Sequence, residues 1–278
     1  MNWLKHKYKV AKAVAIVTYK EWSAYRTHSM VSILVGPVYF VIQYFIWKAV
    51  FGGNDEVISE TVINGMTFEQ MLRYYGAATL INYLIMDFAD WNLQMLIRTG
   101  KFLTFSLRPI HHRFFAFSQK LGHRVLGFLF EFVPCFIILH FIFGVNMVPE
   151  RIGYTIISVA LAFLMNFYVN YCLGMTAFYF VQSSGIRQVY QAIAGICSGT
   201  LIPLVFFPDI VQKLLFFMPF QYVTYIPICV YSGEYSLGGI SMEIPQIIGI
   251  QAIAVVIIFI FSEILYRNAI KKYISVGG

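Results

Sequence analysis

The sequence predicts an all-α polytopic membrane protein, and three observations carry that prediction. The chain of 278 residues is 59% hydrophobic and 12% charged, about half the ~25% charged fraction of an ordinary soluble domain. Its mean hydropathy is +0.70. Its charge-free runs recur at lengths near the ~20 residues that a helix needs to cross the hydrocarbon. A soluble core has no room for so many apolar side chains, so residues 1–278 read as one transmembrane domain.

Taken in order, residues 1–28 mix Lys5, Lys7, Lys9, Lys12 and Lys20 with Trp3, Leu4, Val10, Val14, Val17 and Trp22. Lys5, Lys9 and Lys12 stand at i, i+4 and i+7 and share one helix face. That pattern suits an amphipathic helix in the cytosolic headgroup layer, or a basic flank that orients the first span. Val10–Thr18 is too short and lysine-broken to be the apolar centre of a signal peptide.

Six spans follow. The first is Thr27–Trp47, with Gly36-Pro37 as a kink, and the second centres on Tyr74–Met86. The third runs Leu121–Phe143 and contains Glu131, and the fourth lies within Ile152–Ile186. The fifth is Gln188 to Phe207 and the sixth Ile244–Ser262. Between the second and third, residues 91–118 form a basic cytosolic segment with Arg98, Lys101, Arg108 and Arg113, where Gly100 and Pro109 set off a short helical piece. Residues 208–243 are apolar enough to cross, but Pro219 and Pro227 break them. They read as short helices that enter the outer leaflet and return, which is tolerated where protein or water surrounds them.

Orientation follows from lysine and arginine, which concentrate on the cytosolic side. With both termini inside, sixteen of the twenty basic residues face the cytosol. Lys48, Arg73, Arg151 and Lys213 fall outside, beside acids that include Asp55, Glu56, Glu60 and Glu69. The net charge of +7 is therefore a topological signal, and nucleic acid is excluded as a partner. The same counting places Asn54 and Glu234 outside, and His112, Arg187 and Lys272 inside.

Chemistry-bearing patterns are sparse. Gly100-Lys101 is followed by Phe102, with Met95 where a phosphate-binding loop needs its first glycine. Ser184 and Ser198 precede glycines, but Gln182 and Ile196 stand where a protease turn needs another. His140 reads as a helix-packing histidine and His111-His112-Arg113 as a solvated, headgroup-contacting cluster. Cys135, Cys172, Cys197 and Cys229 are scattered singly, with neither metal spacing nor a disulfide framework. No catalytic, cofactor or metal site is expected. Glu131 is the most informative residue, because a carboxylate in the membrane faces the bundle interior with a partner. It either lines a substrate path, with Asn82, Asp87, Asn166 and Asn170, or makes a structural bond to a neighbouring helix. The asparagines serve equally well as interhelical glue.

Two segments resemble a known family. Ser198-Gly199-Thr200-Leu201-Ile202-Pro203-Leu204-Val205-Phe206-Phe207-Pro208, followed by Met218-Pro219-Phe220, resembles the signature of type-2 ABC exporter permeases. Ile97-Arg98-Thr99-Gly100 leading to Leu107-Arg108-Pro109-Ile110 is similar to one branch of that family, although Thr104-Phe105-Ser106 departs from its acidic and leucine pattern. The resemblance implies a permease that pairs with a second copy or a sister permease in the cell membrane and binds separate ATPase subunits, which carry ATP and magnesium. Arg98, Gly100, Lys101, Phe102, Arg108 and Pro109 would then form the coupling helix that meets the ATPase. Pro203, Phe206, Phe207 and Pro208 would form an outer gate, unless the phenylalanines only pack. A proton-coupled secondary transporter using Glu131 and Asp87 is the alternative.

Overall fold

In a computed structural model the chain is mostly helical. The structure describes residues 2–23, 26–53, 58, 61–180 and 183–271. Asn54, Asp55, Glu56, Glu60, Gln182 and Lys272, used in the sequence reading, lie outside the described residues.

Helix α1 (Asn2–Ser23) precedes α2 (Arg26–Val50), which continues through Pro37. Gly36 allows a close crossing there. Its N–H donates to the Tyr83 hydroxyl at 2.6 Å, and a Cβ on Gly36 would sit 2.5 Å from that oxygen. Helix α3 (Phe68–Ile85) opens on a reciprocal capping box between Thr67 and Gln70. It stops at Met86, and the Asp87 carboxylate accepts the N–H groups of Phe88 and Ala89, at 2.8 and 3.1 Å, to start α4 (Ala89–Arg98). Gly100 then turns the chain at φ +71°, a conformation that favours glycine, into the short helix α5 (Lys101–Ser106).

Helix α6 (His112–Ile142) is continuous and contains π-helical turns at Phe128–Phe132 and Ile138–Ile142. Helix α7 (Ile152–Met175) ends in a 3-10 turn, and α8 (Ser184–Cys197) follows. Two short helices, α9 (Asp209–Phe216) and α10 (Tyr225–Ser232), lead into a two-stranded antiparallel hairpin of β1 (Tyr235–Leu237) and β2 (Ile240–Met242). Helix α11 (Ile244–Lys271) closes the chain. Residues 208–243 thus hold two short helices and a hairpin, and the hairpin was not anticipated.

Among the described residues, four helical stretches are long and apolar enough to cross a membrane: Ile33–Val50, His112–Ile142, Ile152–Phe178 and Ile244–Lys271. The other two expected spans differ in form. The second, centred on Tyr74–Met86, is α3, which starts earlier at Phe68 and ends at Ile85, before the break at Met86–Phe88. The fifth ends at Cys197 instead of Phe207, because the chain turns at Gly199 (φ +82°), whose carbonyl accepts the Tyr74 hydroxyl at 2.7 Å. Its 14 residues rise only about 21 Å at ~1.5 Å each.

Helix α3 is the central element. Tyr74, Tyr75, Ala77, Ala78, Leu80 and Ile81 are all buried, packed by α2, α7 and α10. Around it the molecule has two chemically distinct ends. At one, Arg73 binds Glu150 at 2.8 Å, and the hairpin stands beside α9 and α10. At the other, α1, α4 and α5 gather at the base of α6 and α7.

Candidate functional site

The basic segment lies at the second of these ends, and its two faces behave differently. Arg98, Lys101, Arg108 and Pro109 are exposed, as are Leu103 and Leu107, the latter 82% exposed. Phe102 and Phe105 point inward and are buried. Their rings meet His112 at 5.5 and 4.7 Å, and Phe102 also meets Phe178 edge-on at 5.0 Å. Phe102, expected among the residues that meet a partner, is thus an anchor that holds α5 to the bundle. Arg108 stays outside, its guanidinium 5.4 Å from the Phe105 ring. Glu21, Trp22, Trp91, Met95, Lys101 and Arg108 border a groove of about 930 Å³ beside this helix.

The histidine cluster is less solvated than expected. His112 is buried, with Nδ1 3.1 Å from the Tyr171 hydroxyl. Arg113 pairs with Glu263 at 2.9 Å. His111 lies against the Tyr266 ring, and partial desolvation holds its imidazole below the usual value, with Glu263 opposing. The physical reason is that this triplet starts α6, and a helix that must pack turns half its face inward.

Lys120 and Arg124, two of the sixteen basic residues assigned from the sequence to the cytosolic side, lie inside α6 and are buried. Each receives a carboxylate. Lys120 Nζ stands 3.6 Å from Asp87, with side-chain exposures of 1% and 4%. It also donates to the Phe163 carbonyl at 2.9 Å and lies 4.0 Å from that ring. Arg124 stands 3.5 Å from Glu131 and donates to the Tyr83 carbonyl at 2.5 Å. Asp90 pairs with Arg187 in the same region. The signal for the buried cations was present: Lys120 and Arg124 are four apart, hence on one face, with Gly122 between them.

Of the five polar residues proposed to line a path, Asn166 and Asn170 are bonded to each other. Asp87 and Glu131 are engaged as above. Asn166 donates to the carbonyl of Ile85 at 2.7 Å, tying off the end of α3, and Asn170 donates to Asn166 at 3.3 Å. Asn82 is exposed on the surface of α3. His140 stands 3.3 Å from both the Val145 carbonyl and the Met147 N–H, the structural role expected of it.

At the opposite end, Leu204–Phe206 forms a 3-10 turn bounded by Pro203. Phe206 meets Trp47 edge-on at 5.4 Å. Gln212 pins the turn by donating to the carbonyls of Val205 and Phe207, at 3.2 and 2.6 Å. Pro203 and Val205 border a cavity of about 690 Å³ that also takes in Arg73, Glu150, Arg151 and Glu234. Phe207 is partly buried and Pro208 exposed.

Residues 37–277 match the family described as ABC-2 family transporter protein. The chain belongs to this family. It is accordingly a multi-pass membrane protein and a permease of an ABC transporter. No curated protein matched the chain, and no solved structure did. The ABC-2 assignment covers both segments on which the sequence resemblance rested, including the basic segment and the 3-10 turn.

Proposed function

We propose that this ABC-2 protein is the permease subunit of an ATP-driven exporter of the plasma membrane and forms the substrate pathway. It pairs with a second permease, identical or sister, and is driven by separate ATPase subunits that hold ATP and magnesium. In this reading both termini are cytosolic, α3 and α8 complete six crossings, α1 lies in the headgroup layer and α9–α10 form the outer re-entrant element. The Gly100 to Leu107-Arg108-Pro109 segment is the coupling helix of the branch it resembles.

One observation carries the proposal. Helix α5 is clamped from inside by Phe102 and Phe105 while its outer face offers Lys101, Leu103 and Leu107, with Arg98 and Arg108 at its ends. A lever needs this combination of a rigid attachment and a free recognition surface. Helix α8 supports the pairing, since none of its residues is buried within the chain. The carboxylates suggested for proton coupling all face cations, which weighs against the secondary-transporter reading.

The test is co-purification with an ATPase and turnover of the reconstituted complex. Arg108→Glu should weaken ATPase association, by up to about 1 kcal/mol for one exposed ion pair. Gly100→Leu, which forces a side chain into a left-handed turn, should uncouple ATP turnover from transport while the protein remains folded. Normal association and coupling in both variants would dismiss α5 as the contact.

A further inference from the structure

We propose that the exposed face of α1 binds anionic lipid headgroups, and that Trp22 conveys this occupancy to the break before α4. The inference rests on the headgroup-layer placement of α1 proposed above and is independent of any ATPase. Projected at ~100° per residue, Lys5, Lys9, Lys12 and Lys20 fall within about 80° of one another. All four are exposed, and none forms an ion pair among the described residues. Tyr8, Tyr19 and Ile16, also exposed, lie in or beside the same sector. Cations interleaved with exposed tyrosine and isoleucine match a headgroup layer, where ammonium groups meet phosphates and amphipathic rings enter the interface. Solvation alone would account for the lysines and leave the apolar neighbours unexplained.

The opposite face of α1 is fixed to the bundle. A Cβ on Gly122 of α6 would sit 2.3 Å from the Ala15 carbonyl oxygen, so the two backbones touch. Lys7 lies over the Phe114 ring at 5.8 Å. At the end of α1, Trp22 stacks on Phe88 at 6.2 Å and meets His123 edge-on at 4.3 Å. Phe88 belongs to the Met86–Phe88 break from which α4 runs to the basic segment. Thr18, Trp22, Asp87, Phe88, Lys120 and His123 surround a small cavity of about 40 Å³ there. Occupancy of the α1 lysines therefore has a direct route to the Met86–Phe88 break through the Trp22–Phe88 stack.

The test uses the permease alone, in nanodiscs of phosphatidylcholine or of an equal mixture with phosphatidylglycerol. Hydrogen exchange is read over residues 86–98, and bound phosphatidylglycerol is counted by native mass spectrometry. One lysine beside an anionic surface tightens attachment about fivefold, so exchange at the break should slow several-fold in the anionic discs. The quadruple variant Lys5→Gln, Lys9→Gln, Lys12→Gln and Lys20→Gln should lose both retained phosphatidylglycerol and the slowing. Trp22→Ala should retain the lipid but lose the slowing, whereas Trp22→Phe should keep both. Should Trp22→Ala fail to fold, Phe88→Leu removes the stacking partner instead. Equal exchange of the wild type in both discs, as an acidic protein partner for α1 would give, overturns the proposal. Persistence of the difference in the quadruple variant or after loss of the stack overturns it too.

Discussion

Replacing Lys120 with methionine isolates what the buried ion pair contributes. At 3.6 Å and an effective dielectric of ~20, two unit charges attract by about 4.6 kcal/mol. Lys120→Met removes this attraction and leaves the Asp87 carboxylate nearly sealed, with one oxygen, Oδ2, holding no hydrogen bond. Stranding one member of a buried pair costs about 3–5 kcal/mol, or roughly 5–15 °C in melting temperature for a chain of this size. Asp87→Asn should cost less. Its amide oxygen still accepts the N–H groups of Phe88 and Ala89, and Lys120 keeps the Phe163 carbonyl and ring. The double variant should recover most of the loss, because a buried pair can be replaced by neutral groups at little cost. Thermal unfolding of the purified permease, followed by size-exclusion chromatography, supplies the cycle, and ATPase-coupled transport per folded molecule supplies the second readout. A melting temperature unchanged by Asp87→Asn together with abolished transport would refute the structural assignment of this carboxylate.

Two further predictions follow from the ends of the molecule. A cysteine at position 234 should react with an impermeant thiol reagent on intact cells and one at position 272 should not; labelling at 272 from outside would contradict the six-crossing topology. Changing Phe206 and Phe207 to alanine distinguishes a gate from packing. A gate, which closes by excluding water, should become leaky with the fold intact. The contact of the partly buried Phe206 with Trp47 instead predicts a loss of up to about 3 kcal/mol if the rings only pack, with transport per folded molecule unchanged.

Much of the fold is legible in single stretches of chain. The charge-free runs of α7 and α11 announce membrane helices because the bilayer imposes both a length and a composition. Gly100 marks a turn on its own, and Pro219 falls between the short helices α9 and α10, whereas Pro227, read from the sequence as a second break, sits in the first turn of α10. The family resemblance was also readable, since it rests on contiguous residues such as Leu107-Arg108-Pro109.

Partners are another matter. Lys120 and Arg124 read as cytosolic-side charges until α3 and α6 pack and bring Asp87 to one and Tyr83 to the other. Phe102 and Phe105 read as ordinary members of a basic segment, and only the ends of α6 and α7 turn them into its anchor. By hydropathy the fifth span runs to Phe207, but a tyrosine 125 residues away holds the Gly199 carbonyl and ends it early. The two-stranded hairpin and the contact of Gly122 with Ala15 are equally invisible. Hydropathy and turn propensity act over a few residues, so the chain displays them in order. In the membrane, burying a charge or an unpaired carbonyl is costly enough that its partner decides its place, and that partner is chosen by packing between segments far apart in the chain.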